Sequence, residues 1–131
     1  MMNVNYFIEE LYNKVRWGEF SYRDRIANSY YFSDETHEVC YDLKNNTIYV
    51  ALLKYNGKEN LLNLNVDRKD DHYDRYLINS FVEIILEIIM NEKEMGRLNS
   101  DLDKYVDDED FEKASKQRDV INNIKKILSK L

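Results

Sequence analysis

His37 and Cys40, three residues apart, form the first pair in this sequence that could do chemistry. A thiol beside an imidazole makes a nucleophile and its base, or two of the ligands a metal ion needs. Around them, Val39, Tyr41 and Leu43 alternate with Glu38, Cys40 and Asp42, which reads as a half-buried strand. Alternation along a strand sends His37 and Cys40 to opposite faces, and this defeats chelation by the two alone. A site joining Cys40 to His72 and Asp71 would need convergence from distant parts of the chain, and no helix start follows Cys40 to activate its thiol. The carboxylates Asp67, Asp70, Asp71 and Asp74 are what an acidic surface and a helix start require. Gly18, Gly57 and Gly96 are isolated, so no glycine-rich loop can cradle a phosphate. The expectation is a protein without catalytic residues, metal or cofactor.

The charge balance narrows the partner. Nineteen basic side chains against twenty-five acidic ones give a net charge of −6 over 131 residues. Phosphate neutralisation needs clustered Lys and Arg, so direct nucleic-acid binding is not expected. Aromatic residues are abundant, with eleven Tyr, five Phe and one Trp. Only Arg16, Trp17, Phe20, Tyr22 and Arg23, with Arg25 beyond them, interleave aromatic and basic side chains. That cluster is a secondary interface candidate, because Trp, Tyr and Arg are enriched where proteins bind. The plainer alternative is that Trp17 and Phe20 close the core while the arginines stay solvated. The single cysteine excludes an internal disulfide and is consistent with a cytoplasmic location. Neither a secretory leader nor a run long enough to cross a bilayer is evident, since Leu77 to Met90 is interrupted by Asn79, Ser80, Glu83 and Glu87. The absence of proline and the wealth of Asn, Lys, Ile and Tyr point to a low-GC bacterium or its phage.

These side chains must be held by a small set of elements. Val4, Phe7, Ile8, Leu11, Tyr12 and Val15 recur at helical spacing, with Gly18 as a left-handed stop. Glu19 to Ala27 shows no clear period and reads as loop or short strand. Tyr30 and Phe32 begin a period of two that continues through Val39–Leu43, Thr47–Tyr55 and Leu62–Val66. Asn45-Asn46 can turn the chain, and Asn56-Gly57 suits the centre of a type I′ hairpin. Thr47–Tyr55 is apolar on both parities, as a strand covered on both faces or central in its sheet would be. Asp70 or Asp71 can cap a long helix reaching Asn91. Its stripe would be Leu77, Phe81, Ile84, Ile85 and Ile88, widened by Ile78, Val82 and Ile89. Past Glu92 the stripe fades and Gly96 permits a break.

The remaining residues read as a helical hairpin. Leu98, Leu102, Tyr105 and Val106 give one face; Phe111, Ala114, Arg118, Ile121, Ile124 and Leu128 give the other. Asp107-Asp108-Glu109-Asp110 between them reads first as helix construction, with Lys125, Lys126 and Lys130 at the opposite end, and in the alternative as an acidic docking site. The pattern Leu98-x3-Leu102-x3-Val106, then Glu109-Asp110-Phe111-Glu112-Lys113-Ala114, then Arg118-Asp119-x-Ile121, resembles the UVR motif. This is the helical hairpin of UvrB and UvrC type found in bacterial nucleotide-excision repair subunits and in some chaperone and protease adaptors. The resemblance covers the last quarter of the chain and implies protein–protein contact rather than chemistry. Leu102, Val106, Phe111, Ala114, Arg118, Asp119 and Ile121 would then be its structural and partner-binding positions. Ser115 stands where the family has a second small apolar residue, and Gln117 where it has leucine.

The sequence therefore predicts an α+β fold: an N-terminal helix, a three- to four-stranded antiparallel meander, a long core helix and a C-terminal helical hairpin. Residues 1–95 would form the α+β domain and residues 96–131 the UVR-like hairpin. The expected function is that of a small non-enzymatic adaptor, bacterial or phage, whose hairpin docks a protein partner or self-associates as a homo-oligomer. The rival expectation is an acidic phage-type inhibitor occupying a nucleic-acid-binding site of a host enzyme.

Overall fold

The computed structural model describes residues 3–68 and 73–129. In chain order it contains α1 (Val4–Arg16), β1 (Ser21–Ile26), β2 (Ser29–Ser33), β3 (His37–Asp42), β4 (Thr47–Lys54), β5 (Gly57–Asn65), α2 (Arg75–Ile89), α3 (Glu92–Asp107) and α4 (Phe111–Leu128). The fold is α+β, and its packing divides it into two compact units, 1–85 and 86–131, with the division inside α2.

In the first unit the sheet is an antiparallel meander of five strands in the order β1-β2-β3-β4-β5. The sequence predicts three or four strands, and the additional one is β1. Five of its six side chains are exposed, so it lacks the alternation that burial imposes. Backbone pairing to β2 holds it at the sheet edge, with an extra residue, Arg23, bulged between the Tyr22–Phe32 and Asp24–Tyr31 pairs. The second edge strand, β5, also carries a bulge, at Leu61.

Helix α1 starts where the Asn3 side chain accepts the Tyr6 N–H at 3.2 Å, and past its cap Trp17 the chain turns at Gly18, whose φ is +79°. Its Ile8 and Leu11, with Ile78 and Phe81 of α2, meet Ile48, Val50, Leu62 and Leu64 of β4 and β5 around a cavity of only about 10 Å³. That space is too small for any ligand. Both helices therefore cover one face of the sheet. The largest fully buried side chains of this unit include Tyr30, Tyr41, Phe20, Phe32 and Phe81. The opposite face carries a row formed by register, Tyr31–Cys40–Tyr49–Asn63. Tyr49 is 36% exposed, so β4 is interior to the sheet but covered on one face only.

The turns follow local side-chain chemistry. Asp34 Oδ1 accepts the backbone N–H groups of Thr36 and His37 at 2.8 and 2.7 Å, closing β2 onto β3. Burial pushes the Asp34 carboxyl upward, but those hydrogen bonds, the Thr36 hydroxyl and Lys14 hold it below the ordinary value. Between β3 and β4, Asn46 takes φ +49°, as its type allows. The Tyr41 hydroxyl donates to Asn46 Oδ1 at 2.6 Å, and Asn46 Nδ2 donates to Asp67. The β4–β5 hairpin differs from expectation by one residue. Lys54 pairs with Gly57, so Tyr55 and Asn56 form the loop. Gly57 alone there has positive φ, at +138°, so the turn is not type I′.

Helix α2 starts at Arg75, where Asp74 Oδ1 accepts the Tyr76 and Leu77 N–H groups. Asp70 and Asp71, the expected caps, lie outside the described residues, as does His72. Its buried stripe is Ile78, Phe81, Val82, Ile85, Leu86 and Ile89. Ile88, which the sequence pattern puts in the stripe, is 45% exposed. Contiguous apolar residues leave the orientation of such a helix ambiguous, and packing chooses among them.

The second unit begins with the last turn of α2. The expected break at Gly96 does not occur, because Gly96 is helical and α3 starts earlier, where Asn91 Oδ1 accepts the Glu94 N–H at 2.8 Å. Helices α3 and α4 pair as a hairpin. Among the described residues, no helix is long and apolar enough to cross a membrane.

Candidate interaction surface

The reactive side chains of the sheet do not assemble into a site. His37 lies on the same strand parity as buried Val39 and Tyr41, and its Nδ1 is 2.7 Å from the Thr36 hydroxyl. Cys40 faces the other way, in the outer row beside Tyr31 and Tyr49. Burial raises the Cys40 thiol above its ordinary value, against the hydrogen bonds to Tyr31 and Ser29 that lower it, and this favours the protonated form. Among the described residues, no three His, Cys, Asp or Glu side chains group as metal ligands. A polar cleft of about 290 Å³ lies at one end of the outer sheet face, lined by Thr47, Tyr49, Asn63, Asn65, Arg68 and Tyr73. Among these described residues Arg68 brings a cation, and neither a carboxylate nor a thiol lines the space.

The expected interface residues fall in two regions that present apolar side chains beside charge. The first surrounds the end of α1. Trp17 is 71% exposed with the Arg16 guanidinium 5.1 Å from its ring centroid, and Tyr22 is 43% exposed. Arg23, on the edge bulge, donates from Nε to the Ser33 hydroxyl at 3.2 Å. Phe20 departs from the expected cluster: it is buried, with Lys14 over its ring, and belongs to the core. Trp17, by contrast, does not close the core. It caps the helix in a non-helical conformation, its N–H donating to the Asn13 carbonyl while its ring stays outside.

The second region is the tip of the α3–α4 hairpin. Ala114, Gln117, Ile121 and Ile124 are the buried positions of α4, spaced three, four and three apart, the seam of a heptad rather than of a broad face. The sequence pattern places Arg118 on that face and omits Gln117; the structure reverses the two, with Arg118 exposed and Gln117 buried. Polarity hides Gln117, and the heptad spacing of Ala114, Ile121 and Ile124 is the signal that could find it. Its Nε2 donates to the Leu98 carbonyl of α3 at 3.1 Å, so the departure from leucine is a satisfied polar tie between the helices. Ser115 is exposed and leaves the seam unaffected.

The turn between the helices is set by backbone groups. The Glu109 N–H reaches the Val106 carbonyl and the Asp110 N–H reaches the Tyr105 carbonyl, at 3.0 and 2.9 Å. This is the Schellman arrangement, and its left-handed position, ordinarily glycine, is Glu109 at φ +59°. Asp110 then caps α4, accepting the Lys113 N–H at 3.2 Å. One acid of the four thus builds a helix start. Asp107, Asp108 and Glu109 stand at the end of α3, where the helix dipole disfavours negative charge.

Of the sequence-derived contact positions, Ala114 and Ile121 are 2% and 3% exposed, on the buried face of α4. Leu102 is half-buried, and Arg118 and Asp119 are exposed. Val106 and Phe111, at 42% and 67% exposure, flank the acidic turn and give the tip its apolar surface. With this geometry in view, residues 92–127 match the family described as the UvrB/uvrC motif, UVR. The chain carries a UVR motif. The match spans α3 and nearly all of α4, and the motif points to a protein–protein interaction module. No curated protein and no solved structure matches the chain.

Proposed function

We propose that the protein is a non-enzymatic interaction module whose α3–α4 hairpin docks a protein partner through its tip. The observation that carries this reading is the UVR match over residues 92–127 coinciding with a hairpin whose Val106 and Phe111 stay outside its buried seam. A phenylalanine 67% exposed at the first position of a helix contributes little to the interior of its own hairpin. At an interface it would bury a large apolar area, at roughly 25 cal/mol per Å². The raised Cys40 thiol and the separation of His37 from it support a role without catalysis.

The reading is tested with the full chain carrying Val106→Asp and Phe111→Asp together. Both positions are exposed, so circular dichroism should match the unaltered protein. Capture of partner and self-association, measured by pull-down and light scattering, should both be lost. Association unchanged by the pair would refute the hairpin tip as the contact.

A further inference from the structure

We propose that Asn56-Gly57, at the loop joining β4 to β5, is a self-modifying site, where the Gly57 backbone nitrogen displaces ammonia from the Asn56 side chain. Position 56 then becomes a mixture of aspartate and isoaspartate. The proposal does not depend on how the hairpin of α3 and α4 is used.

The reaction needs only these two residues and water. The Gly57 nitrogen, once its proton has gone to hydroxide, attacks Asn56 Cγ. A C–N bond forms there, the bond to the side-chain nitrogen breaks, and that nitrogen leaves as ammonia with a proton taken from water. Water then opens the resulting cyclic imide at either carbonyl. Attack at the former Cγ gives aspartate. Attack at the former backbone carbonyl gives isoaspartate, whose main chain runs through the side chain and is longer by a methylene.

The structure favours this chemistry at residue 56. Tyr55 and Asn56 form the loop and both are exposed, and the Asn56 side chain has no hydrogen-bond partner among the described residues. Gly57 has φ +138°, a conformation that strains any L side chain, and nothing lies within 4 Å of where a Cβ would stand. The turn therefore calls for the residue type whose nitrogen no side chain shields. Gly57 pairs with Lys54 as the last pair of the ladder, the end that opens at least cost.

Other asparagines are placed differently, and none of them precedes glycine. The Asn45 amide donates to Asp42 at 2.8 Å, that of Asn46 to Asp67 at 3.0 Å and that of Asn99 to the Met95 carbonyl at 3.0 Å. Asn79 lies inside α2, where the following N–H is held in the helix. The consequences of conversion stay local. Residues 57–60 are exposed, and the bulge at Leu61 separates them from buried Leu64. The new carboxylate arises next to Lys54 and Lys58 in sequence, whose present partners are Glu59 at 3.0 Å and Glu38 at 2.6 Å.

The test is to incubate the full chain in mildly alkaline buffer and map its peptides by mass spectrometry. Residue 56 should become heavier by about one mass unit, in two chromatographically separate forms, at a rate that rises with pH. Asn45, Asn46 and Asn99 should keep their amides over the same period. Asn56→Gln should abolish the change, since attack would have to close a larger ring. Circular dichroism should not move as conversion proceeds. The chain unfolded in urea is followed alongside. Conversion of Asn56 there, with its amide intact in the folded protein, would overturn the proposal, because the ladder would then hold Gly57 too firmly. Conversion of Asn45, Asn46 or Asn99 as fast as Asn56 in the folded protein would overturn it as well, because the loop would then confer nothing.

Discussion

The sheet unit buries Tyr30, Tyr41, Phe20 and Phe32 at 2% exposure or less, while the hairpin seam admits Gln117, and its turn holds Glu109 at φ +59°. In the first unit, hydrophobic burial, strand pairing and turn chemistry agree through the core, and the exceptions, such as Ala27 at φ +53°, lie at the sheet edge. In the second, local preferences are broken three times within a few residues, by a polar seam residue, by a non-glycine in a left-handed position and by acids at a helix C-terminus. Proteins keep such conflicts where something other than the stability of the monomer is served. On the proposed reading, the sheet is the scaffold and the hairpin the contact.

The contrast can be sharpened by substitution. The largest effect is expected for Phe32→Ala, which removes a ring with 0% exposure and should lower stability by about 3–5 kcal/mol in urea unfolding. A loss under about 1 kcal/mol would contradict a tightly packed sheet core. Leu98→Ala, also at 0% exposure, should weaken the hairpin by roughly 2–4 kcal/mol, with hydrogen exchange placing the loss in α3 and α4. Gln117 discriminates further. Gln117→Ala should cost about 1–2 kcal/mol, whereas Gln117→Leu should be neutral or stabilising, because the Leu98 carbonyl keeps its helical partner and the seam becomes apolar. Equal losses in both would mean the amide tie is worth more than packing. Glu109→Gly should stabilise by about 0.5–1 kcal/mol by removing the left-handed penalty, with the melting temperature as readout.

The smallest effect belongs to pH. Asp34 titrates below its ordinary value in the folded protein, so the unfolded chain binds its proton more readily. Its contribution to stability is complete above the ordinary carboxylate range and is lost as pH falls through the lowered folded value. Asp34→Asn should flatten the acid limb of the stability profile, and an unchanged limb would remove Asp34 from the turn's energetics.

Where burial imposes a period, the sequence is legible. Ile8, Leu11 and Val15 of α1, the alternation of β2 and β3, and the apolar run of α2 all announce their elements. Strand β1 is not legible, because an edge strand is held by backbone pairing and its side chains answer to solvent. The start of α3 is obscured because Gly96 suggests a break, while Asn91 supplies a cap five residues earlier. At the candidate site, Val106 and Phe111 are found from the motif's spacing. Exposure cannot be read from residue type, so the pattern groups Ala114 and Ile121 with them, and Phe20 with Trp17. Gln117 escapes the pattern because its polarity hides it, although the heptad spacing of Ala114, Ile121 and Ile124 marks its place in the seam.

The central claim, that contact runs through the hairpin tip, is met most directly by hydrogen exchange of the intact protein in its free and associated states. Protection on association should rise at the amides of residues 105–112, with little change along β5. Protection confined to β5 or to the outer sheet face, with 105–112 exchanging as before, would contradict it.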